Sequence, residues 1–422
     1  MDISISFDGF TILMLFGAAQ GLFLSSLLLG RHGNKKANRI LAALMVSYSI
    51  FIFNAILFKN QMLYRHPQLI IALDGLPFLF GPLHYLYAKY LIASNKKFSA
   101  KEWLHFLPFI IYKAYNIPAY FVSESELITY IKSWEITGRP FFLDFSSWLV
   151  SLQGLTYMVL TITLIKKYNI QLKDVYSTID KINLNWLRNI TYMTFFIWIV
   201  VFVENVLILA GREILGGKLD IISLLTAIFI YIMGYLGLSK SEIFSQVRLP
   251  ERKFSPSRSD LQPVTADSSQ QEIRAGARET EDDPVQTAPK YEKSGLTLEN
   301  AKAYLNQLLN LMEKEKPFQN SELTLQDLSD KLSISTHNLS QVINTQLKQN
   351  FFDFVNQYRV EEVKRALGRP DKQHLKILSI ALDAGFNSKT SFNTIFKKFT
   401  NHTPTEYRKR ILTKPEKLSG NN

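Results

Sequence analysis

Two short stretches near the C-terminus carry polar side chains that can make specific hydrogen bonds. In the second stretch, spacing predicts that these residues share one face of a helix: Lys389, Thr390, Asn393, Thr394 and Lys397. In the first stretch, the corresponding face holds His337, Asn338, Gln341 and Asn344. Asn and Gln can pair bidentately with an adenine edge, and Lys can contact guanine or phosphate. The residue types therefore indicate base reading, provided that each stretch is a helix with a buried apolar side.

The second stretch has the elements that such a helix needs. Phe392, Ile395 and Phe396 recur at the spacing of one buried helical stripe. Gly385 can adopt a left-handed conformation and end a preceding helix. Ser388 can cap the next helix. The pattern predicts a helix, a tight turn and a second helix, which is the form of a helix-turn-helix DNA reader.

The same pattern occurs upstream, in residues 325–344. Leu328, Ile334, Leu339 and Ile343 correspond to the later residues Ile380, Phe386, Phe392 and Phe396. Ser335 stands where it can cap the second helix of this copy. Residues 351–367 are amphipathic and predict a helix that connects the two copies. Two such units on one connecting helix could enter major-groove faces about one turn apart, roughly 34 Å.

Other polar residues near these helices are expected to hold the DNA backbone. Phosphate contacts orient a protein on the duplex without reading its sequence. The candidates are Ser335, Ser388, Lys398, Arg408, Lys409 and Arg410. Thr403 to Glu406 reads as a capping box with Pro404 at the first helical position, so a final helix is predicted there.

Residues 296–410 resemble the DNA-binding domain of AraC-family transcription regulators. The resemblance is carried by Gly385-Phe386, Ser388, Phe392, Phe396-Lys397-Lys398 and Pro404 to Arg408. It implies two helix-turn-helix subdomains joined by a helix. Ser333 departs from the pattern, where Gly is frequent, and so does Asn401. Asn tolerates the left-handed conformation, so the second change is mild.

The composition excludes some chemistry and leaves DNA binding open. A formal charge of +12 fits nucleic acid or an anionic membrane surface. The chain has no Cys, so disulfide, thiol and Cys-zinc chemistry are absent. No HExxH, GxSxG, GxGxxG or phosphate-cradling motif is present. We expect no catalytic residue, metal site or cofactor, and therefore no enzyme.

The first half of the chain contains long apolar runs with few charges. About 20 such residues cross the hydrocarbon of a bilayer. We predict seven spans, near residues 9–30, 40–59, 69–93, 104–121, 141–166, 187–210 and 217–238. Lys113 and Asn116 interrupt the fourth span. Pro77 and Pro82 predict a kink in the third.

Loop charges predict the orientation of these spans. The first, third and fifth loops are rich in Lys and Arg, whereas the fourth carries Glu124, Glu126 and Glu135. By the positive-inside rule, the odd-numbered loops are cytoplasmic and the N-terminus is outside. Seven crossings then place the C-terminal half in the cytoplasm, beside chromosomal DNA. The expected location is the inner, cytoplasmic membrane of a bacterium, with the chain multi-pass.

Asp74, His84, Asp144, Glu204 and Asn205 lie within or close to the predicted spans, and three of them are the candidates for a site: Asp74, His84 and Glu204. Ionisable groups at this depth are costly and usually face the interior of the bundle. One hypothesis is that they form a signal or ligand site. The alternative is that they hold helices together or lie near lipid headgroups.

These patterns divide the chain into an all-α membrane domain, a linker and an all-α DNA-binding domain. The predicted boundaries are a seven-helix bundle over 1–240, a flexible linker over 241–295, an AraC-type domain over 296–412 and a tail over 413–422. The linker is rich in Pro, Ser, Gln and charge, which predicts disorder.

The resulting hypothesis is a membrane-bound one-component transcription regulator. Its partners would be double-stranded promoter DNA, membrane lipid and an unknown ligand or signal, and a homodimer is left open. One alternative is a membrane transporter or enzyme with a regulatory tail that binds DNA or protein. Another is a receptor whose basic domain binds partner proteins.

Overall fold

The computed structural model describes six stretches of the chain: 8–93, 98–137, 140–180, 182–210, 218–239 and 296–413. The regular secondary structure of these stretches is helical, apart from one isolated antiparallel pair between Tyr176 and Thr324. The predicted linker lies outside the described residues, as does the predicted tail beyond residue 413.

The chain forms two compact units. The N-terminal unit comprises residues 1–170 and 181–249. The C-terminal unit comprises residues 171–180 and 250–422. A ten-residue piece of the first half thus belongs to the second unit.

The first half of the chain forms nine of the described α-helices. They are α1 (Gly9–Gly30), α2 (Lys35–Lys59), α3 (Pro67–Leu73), α4 (Pro77–Ile92), α5 (Leu107–Asn116), α6 (Glu124–Thr137), α7 (Phe141–Lys173), α8 (Asn185–Leu209) and α9 (Lys218–Ser239). Five helical stretches of the described part are long and apolar enough to cross a membrane: 9–30, 35–59, 67–92, 141–173 and 185–209. A shorter apolar helix, 221–233, lies within α9.

Small residues allow these helices to approach closely. A Cβ atom on Gly21 of α1 would lie 2.2 Å from Oγ of Ser49 on α2. A Cβ atom on Gly154 of α7 would lie 2.1 Å from the ring of Trp198 on α8. Small residues at helix contacts are typical of bundles in lipid, where close backbone packing replaces the hydrophobic effect between helices.

Two predicted spans differ from a single long α-helix. The third is divided between α3 and α4, and the break at Asp74–Leu76 includes Gly75 with φ +81°. The predicted kink is therefore a break just before Pro77, while Pro82 lies inside α4. The fourth contains only the ten-residue α5, about 15 Å long, between short 3₁₀ helices. The loop expected after it forms α6.

The C-terminal unit contains the remaining α-helices of the described part. They are α10 (Leu298–Lys314), α11 (Leu325–Leu332), α12 (Thr336–Gln346), α13 (Phe351–Gly368), α14 (Ile377–Asp383), α15 (Lys389–Thr400) and α16 (Pro404–Thr413). The predicted connecting helix is α13, and the predicted final helix is α16. A capping box starts α11, where Thr324 and Asp327 exchange hydrogen bonds.

Two apolar cores hold these helices. The first contains Leu328, Ile334, Leu339 and Ile343 with residues of α10 and α13. The second contains Ile380, Phe386, Phe392 and Phe396 with other residues of α13. The four residues of each repeat therefore occupy corresponding places in two cores. Helix α13 contributes Phe354 to the first core and Val363 to the second, so it connects them as the pattern predicted.

Candidate nucleic-acid interface

Helix α15 has a buried apolar side and an exposed polar side. Phe392, Ile395 and Phe396 are buried on one side. The other side exposes each residue that the spacing placed there: Lys389, Thr390, Asn393, Thr394 and Lys397. Ser388 is the N-cap of this helix, and its hydroxyl oxygen accepts a hydrogen bond from the Ser391 amide, 3.1 Å away. The helix thus presents side-chain donors and acceptors together on one exposed face.

Helix α12 offers a less exposed face. His337 is exposed, whereas Asn338, Gln341 and Asn344 are half-buried. The Asn344 amide nitrogen donates to Oγ of Ser340, 3.2 Å away. The Oε1 atom of Gln341 is buried without a hydrogen-bond partner among the described residues.

Ser335 caps α12 by accepting from the Asn338 amide at 3.2 Å. Ser335 and Ser388 therefore occupy equivalent positions at the N-termini of α12 and α15. A helix N-terminus attracts anions because its first amides lack intrahelical partners. Both positions suit a DNA phosphate.

The turns before α12 and α15 each contain a residue with positive φ, but the residue type differs. Ser333 ends α11 at φ 54°, ψ 37°, which is the left-handed region. Gly385 ends the corresponding helix α14 at φ +97°. A Cβ atom on Gly385 would lie 2.3 Å from the Phe318 carbonyl oxygen and 3.0 Å from Nε of Arg359. Gly385 is therefore required both by its backbone angle and by close packing.

The basic residues expected at the DNA backbone have different surroundings. Nζ of Lys398 forms an ion pair with Asp353 at 2.6 Å. Arg408 donates to the carbonyl oxygen of Leu375 at 2.9 Å and also to that of Gln373. These two side chains thus support the fold around the second core.

The two basic residues that follow lie on the surface. Lys409 and Arg410 are exposed, and Arg410 contacts the His402 ring at 3.1 Å. Their α16 begins with the predicted capping box, in which the Thr403 amide donates to Glu406 at 2.8 Å and the Glu406 amide donates to Thr403. Hydrogen bonds to the Glu406 carboxylate, first from the Thr403 amide and then from the Thr403 side chain, lower the pKa of Glu406. Asn401 ends α15 in the left-handed region at φ 58°, as its residue type allows.

Arg359 is a structural centre that the sequence reasoning missed. It lies on α13 with 1% of its surface exposed. Its guanidinium donates to the carbonyl oxygens of Phe318 and Asn320, each at 2.8 Å. Burial lowers its pKa to about 10. The sequence feature that could have identified Arg359 is its position on the apolar side of an amphipathic helix.

The candidate residues of the predicted spans, Asp74, His84 and Glu204, have different surroundings. The Tyr112 hydroxyl of α5 donates to Asp74. His84 is buried, with Nε2 at 3.0 Å from the Thr191 hydroxyl of α8. Glu204 is 1% exposed, and neither carboxylate oxygen has a hydrogen-bond partner among the described residues. The structure gives no hydrogen bond between any two of these three side chains.

Comparison with known proteins assigns the C-terminal helices to a known type of domain. Residues 328–410 match the family described as "Helix-turn-helix domain". This stretch includes most of α11 and extends through α15 into α16. No solved structure gives a significant match.

Relatives are similar over the same part of the chain. An uncharacterized HTH-type transcriptional regulator of Staphylococcus aureus strain COL is 38% identical over 87 residues, which are 21% of this chain and 11% of the relative. The melibiose operon regulatory protein of Escherichia coli K12 is 26% identical over 110 residues, which are 26% of this chain and 34% of the relative. The chain thus matches about a tenth to a third of the length of these relatives. Its C-terminal part carries a helix-turn-helix domain of the kind found in transcription regulators.

Proposed function

We propose that the chain is a membrane-bound one-component transcription regulator of AraC type. In this proposal α11–α12 and α14–α15 are two helix-turn-helix motifs that bind promoter DNA. A signal sensed by the membrane domain controls this binding. The observation that carries the proposal is the exposed polar face of α15 within the matched helix-turn-helix domain, together with five apolar helices of spanning length.

In this proposal the two motifs, joined by α13, contact successive major-groove faces. Helix α13 has 18 residues and is about 27 Å long. Successive major-groove faces repeat about every 34 Å. In this arrangement α15 reads bases through Asn393 and its neighbours, and α12 reads through His337 and the half-buried amides. Ser335, Ser388, Lys409 and Arg410 contact phosphates.

The proposed membrane arrangement has seven crossings with the N-terminus outside. The five apolar helices supply most of these crossings. The apolar part of α9 and the helical stretch 100–120 would supply the other two. Support for the orientation comes from the Lys- and Arg-rich first, third and fifth loops. The DNA-binding domain would then lie in the cytoplasm.

Within the bundle, Glu204 is the strongest candidate for a residue that responds to the signal. A buried carboxylate without a hydrogen-bond partner among the described residues is costly, so its contact with a ligand would change the packing of α8. The signal is therefore proposed to act on the N-terminal unit. The DNA-binding form could be a monomer or a homodimer.

DNA selection by the whole protein tests the proposal. The full chain is reconstituted in lipid nanodiscs, and duplexes that it retains from a random-sequence library are sequenced and footprinted. We expect a recurring motif and protection of two patches about one helical turn apart. Retention of random sequences without any shared motif would contradict the proposal.

A further inference from the structure

The C-terminal unit contains one segment from the first half of the chain, Gln171–Asp180, which comprises the last three residues of α7 and the stretch that follows it. We call it the docking segment. Its backbone pairs with the residues just before α11. The Ser177 amide donates to the Leu323 carbonyl at 3.2 Å, and the Leu325 amide donates to the Val175 carbonyl at 2.9 Å. These two hydrogen bonds form the isolated antiparallel bridge between Tyr176 and Thr324.

The middle of the docking segment supplies acceptors to Arg359. Nη1 of Arg359 donates to the Ser177 carbonyl and to Oγ1 of Thr178, both at 3.2 Å. Nη2 donates to Oγ of Ser177 at 2.9 Å. The neighbouring Asn356 amide nitrogen donates to the same Ser177 carbonyl at 3.0 Å. Ser177 is buried by these contacts.

The groups of the docking segment that contact Arg359 are all uncharged. Among the described residues, no carboxylate forms an ion pair with Arg359. A buried charge that only dipoles compensate keeps a large part of its desolvation cost. Withdrawal of the segment would expose the side of the guanidinium that the segment covers and recover part of that cost. The stabilisation that the hydrogen bonds give to the docked segment is therefore partly offset by the desolvation cost of Arg359.

The end of the docking segment reaches the second helix pair. Ile179 packs against the second core. Oδ2 of Asp180 accepts a hydrogen bond from the Ser388 hydroxyl, 3.2 Å away. Ser388 is the N-cap of α15, a position suited to a DNA phosphate. A carboxylate there would occupy the donor and repel a phosphate that approached it.

We propose that the docking segment is an inhibitory internal ligand of the DNA-binding unit. It binds the site formed by Leu323–Leu325, Asn356, Arg359 and Ser388, and Asp180 excludes the phosphate that would contact Ser388. The segment is covalently continuous with α7 and α8, so a shift of these helices could withdraw it and raise the affinity for DNA. This inference rests on the proposed function, in which α15 binds DNA.

The first test removes only the charge at the competing position. Asp180→Asn keeps a side-chain oxygen that can accept from Ser388. The matched control is Glu299→Gln, which removes one negative charge from an exposed position on α10. The probe is a duplex selected by the full chain in nanodiscs, and fluorescence anisotropy gives its Kd. We expect Asp180→Asn to lower Kd at least threefold and the control to leave it unchanged. Equal Kd values for Asp180→Asn and the unmodified chain would overturn the inhibitory role.

The second test locks the segment in place. Tyr176 and Thr324 face each other as an antiparallel pair without hydrogen bonds between them, at which Cα atoms lie about 4.5 Å apart. This spacing suits a disulfide. The chain has no Cys, so the double variant Tyr176→Cys, Thr324→Cys has a single pair to join. We expect oxidation to form an intramolecular disulfide and to weaken probe binding at least tenfold relative to the same sample after reduction.

The outcomes separate docking from DNA binding. Failure to form the disulfide would show that the segment does not dock and would overturn the inference. A disulfide that leaves Kd unchanged would show docking without inhibition and would also overturn it. If neither the unmodified chain nor Asp180→Asn bound any selected duplex, the proposed function would fail and the inhibitory role with it. The disulfide yield would still report separately on docking.

Discussion

At the scale of single residues, charge and polarity alone do not identify the groups available to DNA. Lys398 and Arg408 are basic and close to α15, yet each is engaged with the protein itself. Asn393 and Lys409 are exposed. Asn393 and Lys409 also have no side-chain hydrogen bond or ion pair among the described residues, so they are the better probes of base and phosphate contact.

Asn393→Ala tests base reading. A bidentate contact between an amide side chain and adenine contributes about 1–3 kcal/mol to discrimination. We expect the variant to lose about that much affinity for a selected duplex, with little change on random DNA, as measured by anisotropy with the full chain in nanodiscs. Asn306→Ala, an exposed asparagine on α10, is the control. An equal loss on selected and random DNA would argue against base reading by Asn393.

Lys409→Ala tests phosphate contact. Each neutralised phosphate adds about 0.9 to the slope of log affinity against log salt. We therefore expect the slope to fall by about 0.9, with equal relative loss on selected and random duplexes. Lys302→Ala removes the same charge from the exposed surface of α10 and should leave the slope unchanged. A slope that matched the unmodified chain would remove Lys409 from the interface.

At the scale of elements, the two helix pairs differ most in their turns. Gly385 adopts positive φ without steric cost because it has no Cβ atom, whereas Ser333 has a Cβ atom at φ 54°. The first pair therefore carries local strain that the second pair avoids. Its helix α11 has only eight residues, so a substitution at this turn should change the stability of both α11 and α12.

Ser333→Gly should relieve that strain. The left-handed region costs a residue with a Cβ atom about 1–2 kcal/mol, and the greater freedom of unfolded glycine cancels part of the gain. We expect the free energy of opening of α11–α12 to rise by about 0.5–1 kcal/mol, as measured by amide hydrogen exchange in the full chain. Ser333→Val should lower it, because β-branched residues fit this region poorly. Changes of the same sign in both variants would contradict this account.

At the scale of the whole molecule, the proposed function requires the DNA-binding unit to lie in the cytoplasm. Helix α6 follows the fourth predicted span and carries Glu124 and Glu126 in its first turn. The proposed topology places it outside. Helix α16 belongs to the C-terminal unit and would lie inside.

Single-cysteine labelling tests this topology, because the chain has no Cys of its own. Ser125→Cys on α6 should react with a membrane-impermeant maleimide on spheroplasts. Thr405→Cys on α16 should react only after permeabilisation. Both positions are exposed in their own units, so each should label readily once the reagent reaches it. Labelling of Thr405→Cys before permeabilisation would contradict the cytoplasmic location.

The apolar periodicity of the C-terminal half was sufficient to predict its helices and cores. The corresponding residues Leu339 and Phe392 are both fully buried, because the apolar stripe of an amphipathic helix faces the core. The capping patterns at Ser335 and Thr403 were also read from local sequence, since their hydrogen bonds join residues three positions apart. The exposed face of α15 follows from the same periodicity.

Local sequence was less informative about the first half. Apolar runs predicted seven spans, and five helical stretches of the described part have spanning length, but the runs did not reveal the ten-residue α5 or helix α6. Hydropathy averages over a window, whereas helix ends depend on prolines, caps and tertiary contacts. The partners of Asp74 and His84 lie on other helices, so no local pattern could name them.

The sequence by itself determined that the C-terminal half would form two capped helix pairs on a connecting helix, because periodicity and capping act over three or four residues. Only the tertiary structure decided which polar groups are engaged elsewhere. Arg359 is buried beside residues 177 and 178, and Asp180 contacts Ser388, across more than 170 positions of chain. Such contacts depend on how distant segments pack, and the residue types of Gln171–Asp180 give no sign of them.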